Sequence, residues 1–144
     1  MLVGVLNGPN LNLLGRREPD IYGMTTLAEI ERAVRAEGDR LGLEIEWFQS
    51  NHEGALIEAV HRLEGKAAGA LMNAAAWTHT SLALRDAMLA VRIPFVEVHL
   101  SNVFAREPER RHSLLADLAI GVVAGFGMQS YTLALQALAQ RLRG

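Results

Sequence analysis

The amino-acid sequence predicts an α/β fold, in which one parallel sheet of five strands carries helices on both faces. Two observations support this prediction. Short apolar runs of strand length alternate along the chain with longer segments whose apolar residues recur at helical spacing. The first run, Leu2-Val3-Gly4-Val5-Leu6, is almost continuously apolar, as is typical of a parallel strand buried on both faces. Such alternation favours helical crossovers between parallel neighbours.

The first helix follows a long connection and is predicted to begin at a capping box. Thr26 and Glu29 have the T-x-x-E spacing in which side chains satisfy backbone groups at the start of a helix. The helix extends to Gly42, and its apolar positions are Leu27, Ile30, Val34 and Leu41. The second strand is predicted at residues 43–48.

The second helix is predicted to begin at another capping box, formed by Ser50 and Glu53, and to end at Gly65. Its buried positions are Leu56, Val60 and Leu63. Further strands are predicted at residues 69–73, 95–100 and 120–124, with a third helix at about 80–91 and a short helix at 114–119. The last helix is predicted to bury Tyr131, Leu135, Leu138 and Leu142.

Polar residues follow four of the five predicted strands. The flavodoxin-like strand order 2-1-3-4-5 is the expected topology, and such sheets bind ligands beyond the carboxyl ends of the strands, where the order reverses. The residues at these ends are Asn10, Asn51, Glu53, Asn73, His79, His99 and Ser101. Each alone is common in turns and helix caps. Their coincidence at the strand ends predicts a binding site.

Length and composition limit the classes of function. The 144 residues fit one domain, 1–144, and a formal charge of −2 argues against binding to nucleic acid or anionic membranes. The absence of cysteine excludes disulfides, thiolate nucleophiles and cysteine-ligated metals. No secretory signal pattern and no apolar run of about 18 residues are present. We therefore expect a cytoplasmic protein whose partners are small molecules or copies of itself.

The connection between the first strand and the first helix is the most informative segment. It covers residues 7–25, which is far longer than a usual connection, and it carries Arg16, Arg17 and Tyr22. We interpret its part at about 15–24 as a lid over an active site. A free tyrosine has a pKa of about 10, so Tyr22 can act as a base only if cations such as Arg17 or Arg106 stabilise its phenolate. The alternative is that Tyr22 only packs the lid.

Glu97 and His99 are two residues apart in the fourth predicted strand, so they share one face. A carboxylate beside an imidazole ring orients it and stabilises its protonated form, which suits a general acid. The alternative is a structural ion pair. A metal site of His79, Glu97 and His99 is less favoured because no compact ligand motif is present. Three other histidines receive no catalytic role: His52, His61 and His112.

The third helix is predicted to carry apolar residues on two sides. One stripe, suited to face the sheet, consists of Leu84, Ala87, Met88 and Val91. Leu82 and Leu89 form a second stripe on the opposite side, which they share with Asp86. This second stripe predicts a homo-oligomer in which Asp86 reaches a neighbouring subunit.

Four segments of the chain carry specific motifs. They are Asn7-Gly8-Pro9-Asn10-Leu11-Asn12-Leu13-Leu14-Gly15-Arg16-Arg17-Glu18-Pro19 with Tyr22-Gly23, Phe48-Gln49-Ser50-Asn51-His52-Glu53-Gly54, Thr78-His79-Thr80-Ser81, and Glu97-Val98-His99-Leu100-Ser101-Asn102. Together and in this order they resemble type II 3-dehydroquinate dehydratase. The resemblance covers essentially the whole chain.

The resemblance implies a cofactor-free dehydration of 3-dehydroquinate to 3-dehydroshikimate by anti elimination through an enolate, in the shikimate pathway or in quinate breakdown. It implies that Tyr22 is the base, with Arg17 supporting its phenolate. It also implies that His99, paired with Glu97, protonates the leaving hydroxyl, and that Asn10 holds a water at the enolate oxygen.

The resemblance also implies the contacts to the substrate and an assembly. The carboxylate would be held by Asn73, the backbone N–H of Leu100 and Ser101. The hydroxyls would be held by His79, Arg110 and Asp86 from the adjacent subunit. The implied assembly is a dodecamer built from trimers, with a mobile lid and no metal.

Two positions depart from the family pattern. Ala74-Ala75-Ala76-Trp77 stands where Gly, Pro and smaller residues are usual, and Glu109 stands where a large aromatic residue is common. We expect Glu109 to weaken substrate binding by diverting Arg110. The alternative function is a flavodoxin-like module that binds flavin or another small molecule. That function would require a Ser/Thr-rich phosphate loop after the first strand, where the sequence has Asn7-Gly8-Pro9-Asn10-Leu11-Asn12.

Overall fold

The computed structural model describes residues 1–16, 20 and 24–144. It contains a five-stranded, all-parallel sheet with the order β2-β1-β3-β4-β5, which confirms the predicted topology. The strands are β1 (Leu2–Asn7), β2 (Glu44–Gln49), β3 (Gly69–Asn73), β4 (Phe95–His99) and β5 (Gly121–Ala124). The chain reverses its direction across the sheet between β1 and β3, and these strands pair in a register that places Asn7 beside Asn73.

The helices cover both faces of this sheet. They are α1 (Leu27–Leu41), α2 (Glu53–Leu63), α3 (Leu82–Val91) and α4 (Gln129–Arg143). On one face, α1 and α4 pack over apolar residues of the strands through Ile30, Val34 and Leu135. On the other face, α2 and α3 form a second core through residues such as Leu56 and Leu84. The apolar stripes predicted from helical spacing therefore lie against the sheet.

The predicted helix starts have different outcomes. Thr26 caps α1, because its side-chain oxygen accepts a hydrogen bond from the backbone N–H of Glu29 at 3.2 Å. The cap predicted at Ser50 is wrong. Its hydroxyl oxygen accepts from the backbone N–H of His52 at 2.9 Å, so it closes a turn, and α2 begins only at Glu53.

The predicted short helix at residues 114–119 is also wrong, because this segment forms bends and turns. At its start, the backbone of Leu114 bonds to distant partners. The carbonyl oxygen of Leu114 accepts from Arg85 on α3 at 2.8 Å, and the N–H of Leu114 donates to Thr78 at 2.9 Å. Other element boundaries differ from the prediction by one or two residues.

No helix in the described part of the chain has both the length and the apolar character needed to cross a membrane.

Candidate active site

An open cleft lies beyond the carboxyl ends of β1, β3 and β4, with a volume of about 190 Å³. This is the edge at which the strand order reverses, as the sequence predicts. The cleft brings together eight of the predicted site residues: Asn10, Asn73, His79, His99, Leu100, Ser101, Arg106 and Arg110. A site formed by the segments that follow three separate strands is therefore present within one protomer.

Other predicted residues lie elsewhere. Glu97 is behind His99, and Asn51 reaches the cleft only through its hydrogen bond to the backbone of Asn10. Asp86 is exposed on α3 and does not line the cleft of its own protomer. Arg17 and Tyr22, together with most of the lid predicted at about 15–24, lie outside the described residues.

Glu97 and His99 form a buried pair at the end of β4. The Nε2 atom of His99 lies 2.6 Å from a carboxylate oxygen of Glu97, and their side chains are only 6% and 3% exposed. The second carboxylate oxygen accepts a hydrogen bond from the hydroxyl of Ser113 at 2.7 Å. Because Glu97 engages Nε2, the other ring nitrogen, Nδ1, lies outside this pair.

His79 stacks against His99, with ring centroids 6.4 Å apart and an interplanar angle of 17°. Its Nδ1 donates to the carbonyl oxygen of His112 at 2.8 Å, which leaves Nε2 free to accept a hydrogen bond. Partial burial is the main cause that lowers the pKa of His79; the electrostatic effects of His99 and Arg110 act in the same direction, and the hydrogen bond to the backbone of His112 opposes them. His79 is therefore suited to remain neutral and to bind a hydroxyl group.

Asn73 is held by a buried network at the ends of β1 and β3. Its Nδ2 donates to the hydroxyl of Tyr131 at 2.9 Å, and its Oδ1 accepts from the backbone N–H of Ala75 at 3.1 Å. Tyr131 in turn donates to Asn7 at 2.7 Å. Burial raises the pKa of Tyr131, which keeps its hydroxyl protonated as this bond requires. One N–H of Asn73 remains beyond these bonds.

Asn10 lies at a turn where two loops approach closely. Its backbone is in the left-handed region, at φ 68°, which asparagine tolerates better than most residues. Its N–H donates to Asn51 at 2.8 Å. Nearby, the backbone N–H of Gly8 donates to the carbonyl oxygen of Asn73 at 2.8 Å, which joins the β1 and β3 loops. Turn chemistry and cleft position therefore coincide at Asn10.

Arg110 is paired at the rim of the cleft with Glu107 and not with Glu109, which is exposed. The hydrogen bond from Arg110 lowers the pKa of Glu107, and the charge of Arg106 adds to this effect. A carboxylate thus lies between the cationic side chains of Arg106 and Arg110. The expectation that Glu109 diverts Arg110 is replaced by this observation.

The described residues include no group of three His, Cys, Asp or Glu side chains arranged to hold a metal ion. Both carboxylate oxygens of Glu97 are engaged, one by His99 and one by the hydroxyl of Ser113, and Nδ1 of His79 is bonded to the backbone of His112. This geometry gives no support to the metal alternative.

Comparison with known families identifies the chain. The family model described as "Dehydroquinase class II" matches residues 1–139. The protein belongs to the type II dehydroquinase family.

Relatives and solved structures agree with this assignment. The 3-dehydroquinate dehydratase of Parasynechococcus marenigrum (strain WH8102) is 61% identical over 139 residues, which cover 96% of this chain and 95% of that protein. The enzyme of the same name from Synechococcus sp. (strain WH7803) is 58% identical, with 97% and 95% covered.

The crystal structure of type II dehydroquinase from Propionibacterium acnes matches with a TM-score of 0.92 at 40% identity, covering 96% of both chains. The structure from Butyrivibrio crossotus DSM 2876 matches with a TM-score of 0.93 at 38% identity, covering 96% of this chain and 97% of that one. The dehydroquinase fold is thus shared over nearly the whole chain, and family membership makes the protein an enzyme of the hydro-lyase class. The alternative of a flavin-binding module is replaced by this assignment.

Several residues of this dehydroquinase hold the site residues through hydrogen bonds, and this role was not predicted from the sequence. They are Asn7, Glu107, His112, Ser113 and Tyr131. Tyr131 was expected only as a core residue because its spacing fits the buried stripe of α4. A tyrosine hydroxyl on a buried helix face needs a hydrogen-bond partner, but the sequence does not identify that partner.

Proposed function

We propose that the protein dehydrates 3-dehydroquinate to 3-dehydroshikimate by anti elimination through an enolate. The observation that carries this proposal is the buried Glu97–His99 pair in a cleft lined by amide, hydroxyl and guanidinium groups. Removal of a proton next to a ketone and loss of a hydroxyl require a base, an enolate stabiliser and an acid. Family membership supports the same reaction.

His99 acts as the acid. It protonates the leaving hydroxyl, while Glu97 holds the ring from the side away from the cleft and stabilises the imidazolium. The burial of the pair strengthens this interaction because water does not screen it.

Tyr22 acts as the base, and Arg17 stabilises its phenolate. Both belong to the lid predicted at about 15–24 and lie outside the described residues. Arg106 supports this role from the wall of the cleft, where it adds positive charge on the side that receives an anion.

Asn10 holds a water that stabilises the enolate oxygen, a role like that of an oxyanion hole. Its position at the cleft and the hydrogen bond from its N–H to Asn51 support this assignment, because they fix the turn that carries the side chain.

The substrate is bound through its carboxylate and its hydroxyls. Asn73, the backbone N–H of Leu100 and Ser101 bind the carboxylate. His79 and Arg110 bind the hydroxyls, together with Asp86 of the adjacent subunit. The remaining N–H of Asn73 and the free Nε2 of His79 supply hydrogen-bonding groups of the required kinds.

The assembly is a homo-oligomer, a dodecamer of trimers, located in the cytoplasm. The reaction uses neither a cofactor nor a metal and serves the shikimate pathway or quinate breakdown. The exposure of Leu82, Leu89 and Asp86 on one side of α3 supports assembly through this surface.

Incubation with 3-dehydroquinate tests the proposal, because the conjugated product absorbs in the ultraviolet. We expect a rise in absorbance with the native protein. We expect kcat to fall by about 10²–10⁴-fold in His99→Gln and in Tyr22→Phe, with little change in KM. No rise with native protein would refute the function, and unchanged kcat in either variant would refute the role of that residue.

A further inference from the structure

We propose that Ser113 is a positioning residue for the acid of this site, and that it acts through Glu97. The inference rests on the proposed function, in which His99 donates the proton. Ser113 follows the loop after β4 and does not line the cleft. Its effect on the reaction would therefore be indirect, through the orientation of the carboxylate.

The hydroxyl of Ser113 makes three hydrogen bonds, two as acceptor and one as donor. Its Oγ accepts from the backbone N–H groups of Leu115 and Ala116, each at 3.0 Å. These two bonds occupy the acceptor capacity of the hydroxyl, so its single hydrogen is directed to Glu97, where the distance is 2.7 Å. A serine in free rotation would donate in several directions, whereas this one has a single acceptor.

Glu97 consequently accepts at both oxygens. One oxygen receives the Ser113 hydroxyl, and the other receives the Nε2–H of His99 at 2.6 Å. This arrangement fixes the plane of the carboxylate and determines which nitrogen of His99 carries the proton. Without the Ser113 donor the carboxylate can rotate, and the protonated nitrogen of His99 is no longer specified.

The segment that carries Ser113 is itself fixed by three hydrogen bonds of its neighbouring residues. The neighbouring His112 accepts from His79 through its carbonyl oxygen at 2.8 Å. On the other side, Leu114 donates to the carbonyl oxygen of Thr78 at 2.9 Å and accepts from Arg85 at 2.8 Å. Residues 112–114 therefore orient both stacked imidazole rings of the cleft, His79 directly and His99 through Glu97.

Kinetics of Ser113→Ala and Ser113→Thr test the inference, because threonine keeps the hydroxyl donor and alanine removes it. We expect Ser113→Ala to lower kcat about tenfold, a part of what a general acid contributes, with KM changed less than twofold. Ser113→Thr restores most of kcat. If Ser113→Ala does not fold, Ser113→Cys supplies a variant with a much weaker donor.

A control variant separates this role from helix and turn capping. Ser50→Ala also removes a hydroxyl that accepts a backbone N–H, here that of His52, but its side chain does not reach Glu97 or His99. We expect Ser50→Ala to keep native kcat. Thermal unfolding of all variants is measured in parallel. A purely structural role for Ser113 would lower the melting temperature in Ser113→Ala without lowering kcat at 25 °C, and that result would overturn the inference.

A spectroscopic measurement tests the role of Ser113 independently of the proposed function. Solid-state NMR of sedimented protein labelled with ¹⁵N-histidine shows which ring nitrogen is protonated, and the His99→Gln spectrum assigns the His99 signals among the five histidines. At a pH at which His99 is neutral, we expect a single tautomer with the proton on Nε2 in native protein and a mixture of the two tautomers in Ser113→Ala. An unchanged spectrum overturns the positioning role. Absence of turnover by native protein refutes the proposed function, and the spectra still decide whether Ser113 orients His99.

Discussion

At the scale of single residues, the polar groups of this cleft are held by side chains that do not contact it. Tyr131 is the clearest case. It is fully buried on α4, and its hydroxyl joins Asn7 at the end of β1 to Asn73 at the end of β3. Because Asn73 uses its Oδ1 on the backbone of Ala75, the tyrosine bond fixes which amide hydrogen faces outward.

Tyr131→Phe removes this hydroxyl and keeps the ring that packs against Trp47. The variant leaves buried groups of Asn7 and Asn73 without a partner, so we expect a loss of about 1–3 kcal/mol in the free energy of unfolding. Urea unfolding measures it. We also expect KM for 3-dehydroquinate to rise severalfold with little change in kcat. A loss of stability without a change in KM would show that Tyr131 does not position Asn73.

Glu107 pairs with Arg110 at the cleft rim, so under the proposed function it competes with the substrate for this guanidinium group. Glu107→Gln removes this carboxylate and frees Arg110, so we expect KM to fall about two- to fivefold, the range for an exposed ion pair. Glu109→Gln is the matched control, since it removes the same charge from an exposed neighbour that is not paired with Arg110. Steady-state kinetics at low ionic strength compare the two. An equal effect in both variants would indicate general charge repulsion instead of specific pairing.

His79 makes stability depend on pH. Its pKa in the folded protein is lowered from 6.5, mainly by burial, so the unfolded chain binds the proton more readily. The corresponding stability is present in full above about pH 6.5 and is lost as the pH falls from there toward the lower folded pKa. We expect His79→Asn, which keeps a donor for the carbonyl of His112, to show a smaller drop in melting temperature between pH 7 and pH 5. Identical pH profiles would contradict this assignment.

At the scale of elements, the site depends on how closely the β1 and β3 loops meet. A Cβ atom at Gly8 would overlap the carbonyl oxygen of Ala74, which is rigid backbone. We expect Gly8→Ala to lower both the melting temperature and kcat/KM, the latter by at least about tenfold because a shift of 1 Å at a site is costly. Gly54→Ala is the control. It lies in α2 with no atom within 4 Å of the added group, so stability is unchanged or higher.

The elements also show how much of the fold could be predicted from the sequence. Hydrophobic periodicity was sufficient to predict the five strands and the four long helices. In α2, for example, the helical spacing of Leu56, Val60 and Leu63 places all three on the side that is buried. The turns at 114–119 could not be predicted, since local apolar spacing favours a helix there. The conformation depends on the hydrogen bonds of Leu114, which accepts from Arg85 and donates to the carbonyl oxygen of Thr78, and both partners are distant in sequence.

The site was also predictable only in part. Asn10, Asn73, His79 and His99 were predictable because strand order places the carboxyl ends of parallel strands together. Their supporting residues were not, because the bonds of Ser113 and Tyr131 connect positions whose distance in space the sequence does not give. Tyr131 and Asn7 are 124 positions apart along the chain, yet the hydroxyl of Tyr131 lies 2.7 Å from Oδ1 of Asn7.

At the scale of the whole molecule, α3 has two different sides. Leu84 and Met88 are buried against the sheet, whereas Leu82 and Leu89 are 64% and 47% exposed. Asp86 lies on the exposed side and away from the cleft of its own protomer. An exposed apolar pair beside a carboxylate fits an interface at which one subunit completes the site of another.

The proposed dodecamer predicts a mass of about twelve times the 15.7 kDa of one chain in light scattering. It also predicts complementation between inactive subunits. His99→Ala lacks the acid, and Asp86→Ala lacks the group that its neighbour needs. In a mixed oligomer, a subunit with intact His99 beside one with intact Asp86 has a complete site. We therefore expect the two variants, unfolded and refolded together, to be severalfold more active at low substrate concentration than the mean of the separately refolded samples. Mixing without refolding is the control, since the subunits there are not deliberately separated and reassembled. Activity equal to that mean would show that each cleft works within one chain and that Asp86 does not act across the interface.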